Sequence, residues 1–63
     1  MKRRDLIKQL ELEAKACGLD FLLTEGSRHT HVQFGKFRTE VPRHTEVSER
    51  LAQAILKKAR ETQ

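Results

Sequence analysis

Two histidines stand two residues apart in the run Gly26-Ser27-Arg28-His29-Thr30-His31. An imidazole, with an ordinary pKa near ~6.5, takes and returns a proton at neutral pH. Metal-free RNA cleavage needs that service, because the ribose 2′-OH must lose a proton to attack the adjacent phosphate and the leaving 5′-oxygen must gain one. His29 is the sharper candidate, since it closes a turn and opens an alternating stretch. Before it, Gly26 lets a backbone approach a phosphate closely, Ser27 offers a hydroxyl, and Arg28 offers a planar fork for phosphate oxygens. Lys36, Arg38 and Arg43 are further candidate phosphate contacts, and each reads also as part of a solvated rim.

The same residues support other chemistry. On a strand, His29 and His31 share one face and begin a metal site. Its third ligand would be His44 or Cys17, or Glu40 across the sheet, and Cys17 fits better as a small core residue. Phe34 and Phe37 flank a second turn; stacking on bases is one use for them, but their alternation puts them in the core. Lys2-Arg3-Arg4 either touches nucleic acid or opens an exposed helix, and the residues do not decide between the two.

These side chains need elements to hold them. From Arg3 to Cys17, the residues Leu6, Ile7, Leu10, Ala14 and Cys17 recur at spacings of three and four, the stripe of an amphipathic helix. Gly18 is its stop. Asp20–Thr24 is an apolar run of strand length, and Glu25-Gly26-Ser27-Arg28 reads as a turn in which Gly26 takes positive φ. Thr30, Val32 and Phe34 then alternate with His29, His31 and Gln33, the period of a half-buried strand. Gly35-Lys36 turns the chain, and Phe37, Thr39 and Val41 alternate with Arg38 and Glu40 until Pro42 stops the third strand. Thr45 or Ser48 caps a second helix whose stripe is Val47, Leu51, Ala54, Ile55 and Lys58/Ala59, and Gln63 ends a fraying tail.

The order α-β-β-β-α implies an α+β fold. A three-stranded antiparallel sheet buries one face under two helices and leaves the other, with His29, His31, Gln33, Arg38 and Glu40, open to solvent. This is the layout of a double-stranded-RNA-binding domain in miniature.

Sixty-three residues make one domain, 1–63, with a thin core, since folding at this size buries only ~60% of the unfolded chain's surface. Such a chain cannot enclose a roomy substrate cavity, which disfavours enzymes needing a large cofactor and favours an exposed site acting on a polymer. The formal charge is +4, and between Gly26 and His44 Arg28, Lys36, Arg38 and Arg43 face one acid, Glu40. A basic strip of this kind suits nucleic acid. Cys17 is the one cysteine, so no internal disulfide forms. No signal-peptide or membrane-spanning run occurs, and a cytoplasmic protein without a membrane partner is expected.

Taken in order, Arg3-Arg4-Asp5-Leu6-Ile7, the Gly26-Ser27 turn leading into His29, the hairpin, Val41-Pro42-Arg43-His44 and the closing Leu51…Ile55-Leu56 helix resemble the HicA family of toxins along nearly the whole chain. Arg28 intervenes where many members have the histidine directly after Gly-Ser, and Val32 stands where many have an aromatic residue. The resemblance implies an mRNA interferase of a toxin–antitoxin system, an endoribonuclease with His29 as its catalytic histidine and no metal or cofactor. It implies mRNA as substrate and a HicB-like antitoxin covering the site. The residues alone also support a non-catalytic RNA-binding module on the same fold, or a metal-binding or protein-interaction module built on His29 and His31.

Overall fold

The computed structural model describes residues 1–62; Gln63, the expected fraying tail, lies outside the described residues. The elements run α1 (Arg3–Ala16), β1 (Leu22–Glu25), β2 (His29–Phe34), β3 (Phe37–Pro42) and α2 (Glu49–Thr62). This is the α-β-β-β-α arrangement that the periodicities imply, an α+β fold.

Helix α1 buries Leu6, Leu10 and Ala14, each four residues after the last. It ends in a Schellman closure: Gly18, at φ 69°, donates to the Lys15 carbonyl and Leu19 donates to the Ala14 carbonyl at 2.9 Å. That closure corrects one expectation. Cys17 occupies the C-cap, where the backbone is already leaving the helical stripe, and its side chain is exposed rather than in the core.

The sheet has the order β1-β2-β3, antiparallel throughout. Along β2 burial alternates residue by residue, with Thr30, Val32 and Phe34 inside and His29, His31 and Gln33 outside. Gly35, at φ 59°, makes the tight turn into β3, and the rings of Phe34 and Phe37 meet across it with centroids 5.1 Å apart. Strand β1 covers Leu22–Glu25 rather than Asp20–Thr24. Glu25, assigned to a turn from sequence, pairs with Thr30 in the ladder, and Phe21 packs on the core before the strand begins.

Helix α2 starts from Ser48, whose Oγ accepts a hydrogen bond from the Leu51 N–H at 3.2 Å. Its buried stripe is Ala52, Ile55, Leu56 and Ala59, so Leu51 and Ala54 do not face inward as expected. The physical reason is plain along the helix: the stripe through Leu51 and Ala54 arrives at Lys58, whereas the stripe through Ala52 and Leu56 stays apolar to Ala59.

Both helices and the inner face of the sheet share one core. Leu6, Leu10 and Ala14 of α1 and Ala52, Ile55, Leu56 and Ala59 of α2 pack with Val32, Phe34, Phe37, Val41 and Val47. Among the described residues no element covers the outer sheet face. No helix is long and apolar enough to cross a membrane among the described residues.

Because the core is a single thin layer, one cavity weakens all of it. Replacing Leu10, fully buried, by alanine should cost about 2–5 kcal/mol. A domain of this size has only ~3–9 kcal/mol to lose. The urea unfolding midpoint of Leu10→Ala should therefore fall by about half or more, while Leu12→Ala, on the exposed side of α1, should unfold close to the parent chain.

Candidate active site

The turn between β1 and β2 needs glycine at position 26 because a side chain would not fit, not through the positive φ expected of it. Positive φ belongs to Gly18 and Gly35. Gly26 is required for space: its N–H donates to the His29 carbonyl at 2.8 Å, and a Cβ there would lie 2.8 Å from that carbonyl oxygen and 3.2 Å from His31 Nε2. The missing side chain is thus what allows the turn to fold back beside His31.

Beneath the turn sits a polar knot that no spacing in the sequence announces. Thr30 points into the core and is fully buried. Its hydroxyl donates to Glu25 Oε1 at 2.6 Å and accepts from Arg3 Nη2. Arg3 Nη2 also lies 3.3 Å from Glu25 Oε1, and Arg43 Nη2 lies 3.6 Å from Oε2 of the same carboxylate. Arg43 Nη1 in turn donates to the Gly26 carbonyl at 2.8 Å. The Thr30 hydroxyl, with Arg43 and Arg3 adding their charge, holds the Glu25 carboxyl below the usual carboxylate range. The turn is therefore clamped from below by one acid and two arginines.

Above the clamp, on the open face, His29 and His31 converge on one acid. His29 Nδ1 is 3.8 Å and His31 Nδ1 4.0 Å from the same oxygen, Oε1 of Glu40. The register explains this, because His31 lies directly opposite Glu40 and His29 opposite Pro42, one step along the same face. All three side chains are about half exposed. Beside them a shallow groove of about 590 Å³ crosses the sheet, lined by Leu22, Thr24, His31, Gln33, Arg38 and Glu40.

Of the residues singled out from sequence, Gly26, Ser27, Arg28, His29 and Arg43 gather at one end of the sheet. Arg43 is not a freely available cation there, since it is engaged with Gly26 and Glu25. Arg38 lies opposite Gln33, roughly 13 Å of strand from His29. Lys36 is at the far hairpin tip, about 20 Å away, and does not join the histidines. Glu25, Thr30 and Arg3 were missed as a unit. The available signal was Thr30 itself, a polar residue on the buried face of an alternating strand, which demands a partner. Among the described residues no group of three or more His, Cys, Asp or Glu is placed to hold a metal ion. Cys17, one proposed third ligand, sits at the end of α1.

Two outcomes test this construction. Gly26→Ala should cost about 1–3 kcal/mol through the forced shift of the turn. It should also move the His29 and His31 imidazole resonances in NMR spectra, while the Phe34 and Phe37 signals stay in place. For Glu25, a folded-state pKa below the unfolded value adds stability that is complete above the ordinary carboxylate range and fades as pH falls through the lowered value. Melting temperatures measured from pH 7 down to pH 3 should show the parent chain above Glu25→Gln at neutral pH, with the gap closing in acid.

Compared with protein-family models, with curated proteins and with solved structures, the chain matches none.

Proposed function

We propose that the chain is an endoribonuclease that cleaves RNA through histidine proton transfer without metal, acting as the mRNA interferase of a toxin–antitoxin pair. The observation that carries this reading is the placing of two half-exposed imidazoles within 4.0 Å of one carboxylate oxygen on the open face of the sheet. In-line attack of a ribose 2′-OH on its own phosphate breaks the P–O5′ bond and leaves a cyclic 2′,3′-phosphate. One group must accept the 2′-OH proton and another must donate a proton to the departing 5′-oxygen. Neighbours at i and i+2 on a strand stand ~7 Å apart, enough to straddle the reacting phosphate. His29 takes one of these roles and His31 is placed for the other. Glu40, 3.8 and 4.0 Å from the two imidazoles, balances the charge of whichever is protonated. Arg28, exposed beside His29, and Arg38, on the groove wall, supply phosphate contacts, and Gly26 and Ser27 shape the approach.

The size of the domain favours the same reading. A groove open to solvent suits a polymer that brings its own contacts, and the open face is also what a protein inhibitor with acidic residues would cover. A HicB-like antitoxin is the partner the resemblance suggests, and the cytoplasm is where both would meet mRNA.

Expression of the parent chain should arrest growth and deplete mRNA, and His29→Ala should abolish both. With purified protein, His29→Ala and His31→Ala should each slow cleavage by about 10²-fold or more, the usual scale of a lost general acid or base. Equal RNA decay by the parent and His29→Ala would remove His29 from the chemistry. RNA that is bound with steep salt dependence but stays intact would replace the nuclease with a non-catalytic RNA-binding module.

A further inference from the structure

A second basic site lies on the opposite side of Arg43 from the histidines. Lys2, Arg3 and Arg4 open α1, and the connector after β3 brings Arg43 and Thr45 against them, enclosing a depression of about 290 Å³. The two segments are tied by backbone bonds, Arg3 N–H to the Thr45 carbonyl at 2.9 Å and a bridge pairing Lys2 with Glu46. The depression is therefore a built feature of the fold, not a chance meeting of flexible side chains.

Two of its cations are already paired and two are not. Arg3 and Arg43 share Glu25, Glu46 and Glu49 each lie 3.7 Å from the Met1 amine, and Asp5 stands in the first turn of α1. Lys2 and Arg4 are exposed, and neither has an acidic partner among the described residues. Four basic residues and Thr45 thus line the depression, Arg3 and Arg43 engaged with Glu25 and Lys2 and Arg4 available to a ligand. Paired surface cations contribute little to stability, and two unpaired ones beside two more repel.

We infer that this depression binds phosphate groups of a nucleic-acid strand. Arg43 is the link: it touches Gly26, and Gly26 lies under His31, so a strand lying in the depression passes directly over Arg43 toward the two imidazoles. Binding there stands apart from cleavage; the path of the strand onward to His29 and His31 rests on the ribonuclease reading above.

The test uses a fluorescent single-stranded 2′-O-methyl RNA of ~20 nucleotides, which lacks the attacking hydroxyl and cannot be cut by this chemistry, so binding is read whether or not the chain is a nuclease. Affinity is measured by anisotropy across a salt series for the parent, Lys2→Ala/Arg4→Ala, and the charge-matched control Lys57→Ala/Lys58→Ala on α2. The Lys2→Ala/Arg4→Ala variant should bind about tenfold more weakly at moderate salt, and its log–log salt slope should be shallower by about 1.4, the loss of two phosphate contacts on a single strand. The control should stay within about twofold of the parent. Circular dichroism melts establish that both variants are folded. Equal weakening of the two variants would overturn the site in favour of diffuse charge, as would parent-like binding by Lys2→Ala/Arg4→Ala. Loss of binding to phosphatidylserine vesicles with RNA affinity unchanged would overturn the assignment to nucleic acid.

Discussion

Thr30 faces the core from β2, yet carries a hydroxyl that water cannot reach. An unpaired hydroxyl there would cost roughly 1–3 kcal/mol, a large share of what so small a domain holds. Its answer is Glu25, reached across the β1–β2 ladder, and the charge on Glu25 is in turn met by Arg3 and Arg43. One buried hydroxyl therefore ties together the first turn of α1, the end of β1, the start of β2 and the connector after β3. Sliding β2 by one residue would break this knot and turn the histidines inward, so the same contact that satisfies Thr30 also fixes the outward direction of His29 and His31.

The two faces of the sheet divide the work. The inner face, with Val32, Phe34, Phe37 and Val41, is closed by both helices and supplies the stability. Among the described residues no element covers the outer face, which carries the imidazoles, Glu40, Gln33 and Arg38. Both helices pack on the inner face, so a ligand at the proposed site would meet an open surface and complete the enclosure itself. Gly26 sharpens this arrangement, because the turn that closes the polar knot below also lies against His31 above.

Charge is distributed differently in space than along the chain. The middle of the sequence looks like one basic strip, but folding sends Lys36 to the far hairpin tip and commits Arg43 to Glu25 and Gly26. Arg3, far away in sequence, joins the same acid. Lys2 and Arg4, whose role their own neighbourhood left undecided, end beside Arg43 across a depression. Basic side chains from both ends of the chain thus meet around Arg43, at the end of the sheet that carries His29.

Much of the fold was legible from local pattern. Alternation from His29 to Phe34 set which side chains face out, because a strand's period is two and one face had to be buried. Gly18, Gly35, Pro42 and Ser48 marked boundaries through conformational limits that act locally. What local pattern could not decide were choices between near-equal options, settled by packing. These include the stripe of α2 through Ala52 rather than Leu51, the exposure of Cys17 at a Schellman closure, and the extension of β1 to Glu25. Nor could it reveal contacts between residues far apart in sequence, such as Arg3 with Thr30 and Arg43 with Gly26, since a charged side chain has many allowed partners until the backbone has chosen its neighbours. The pairing of His29 and His31 on one Glu40 oxygen belongs to both levels: the i, i+2 spacing put the imidazoles on one face, and only the β2–β3 register brought the carboxylate between them.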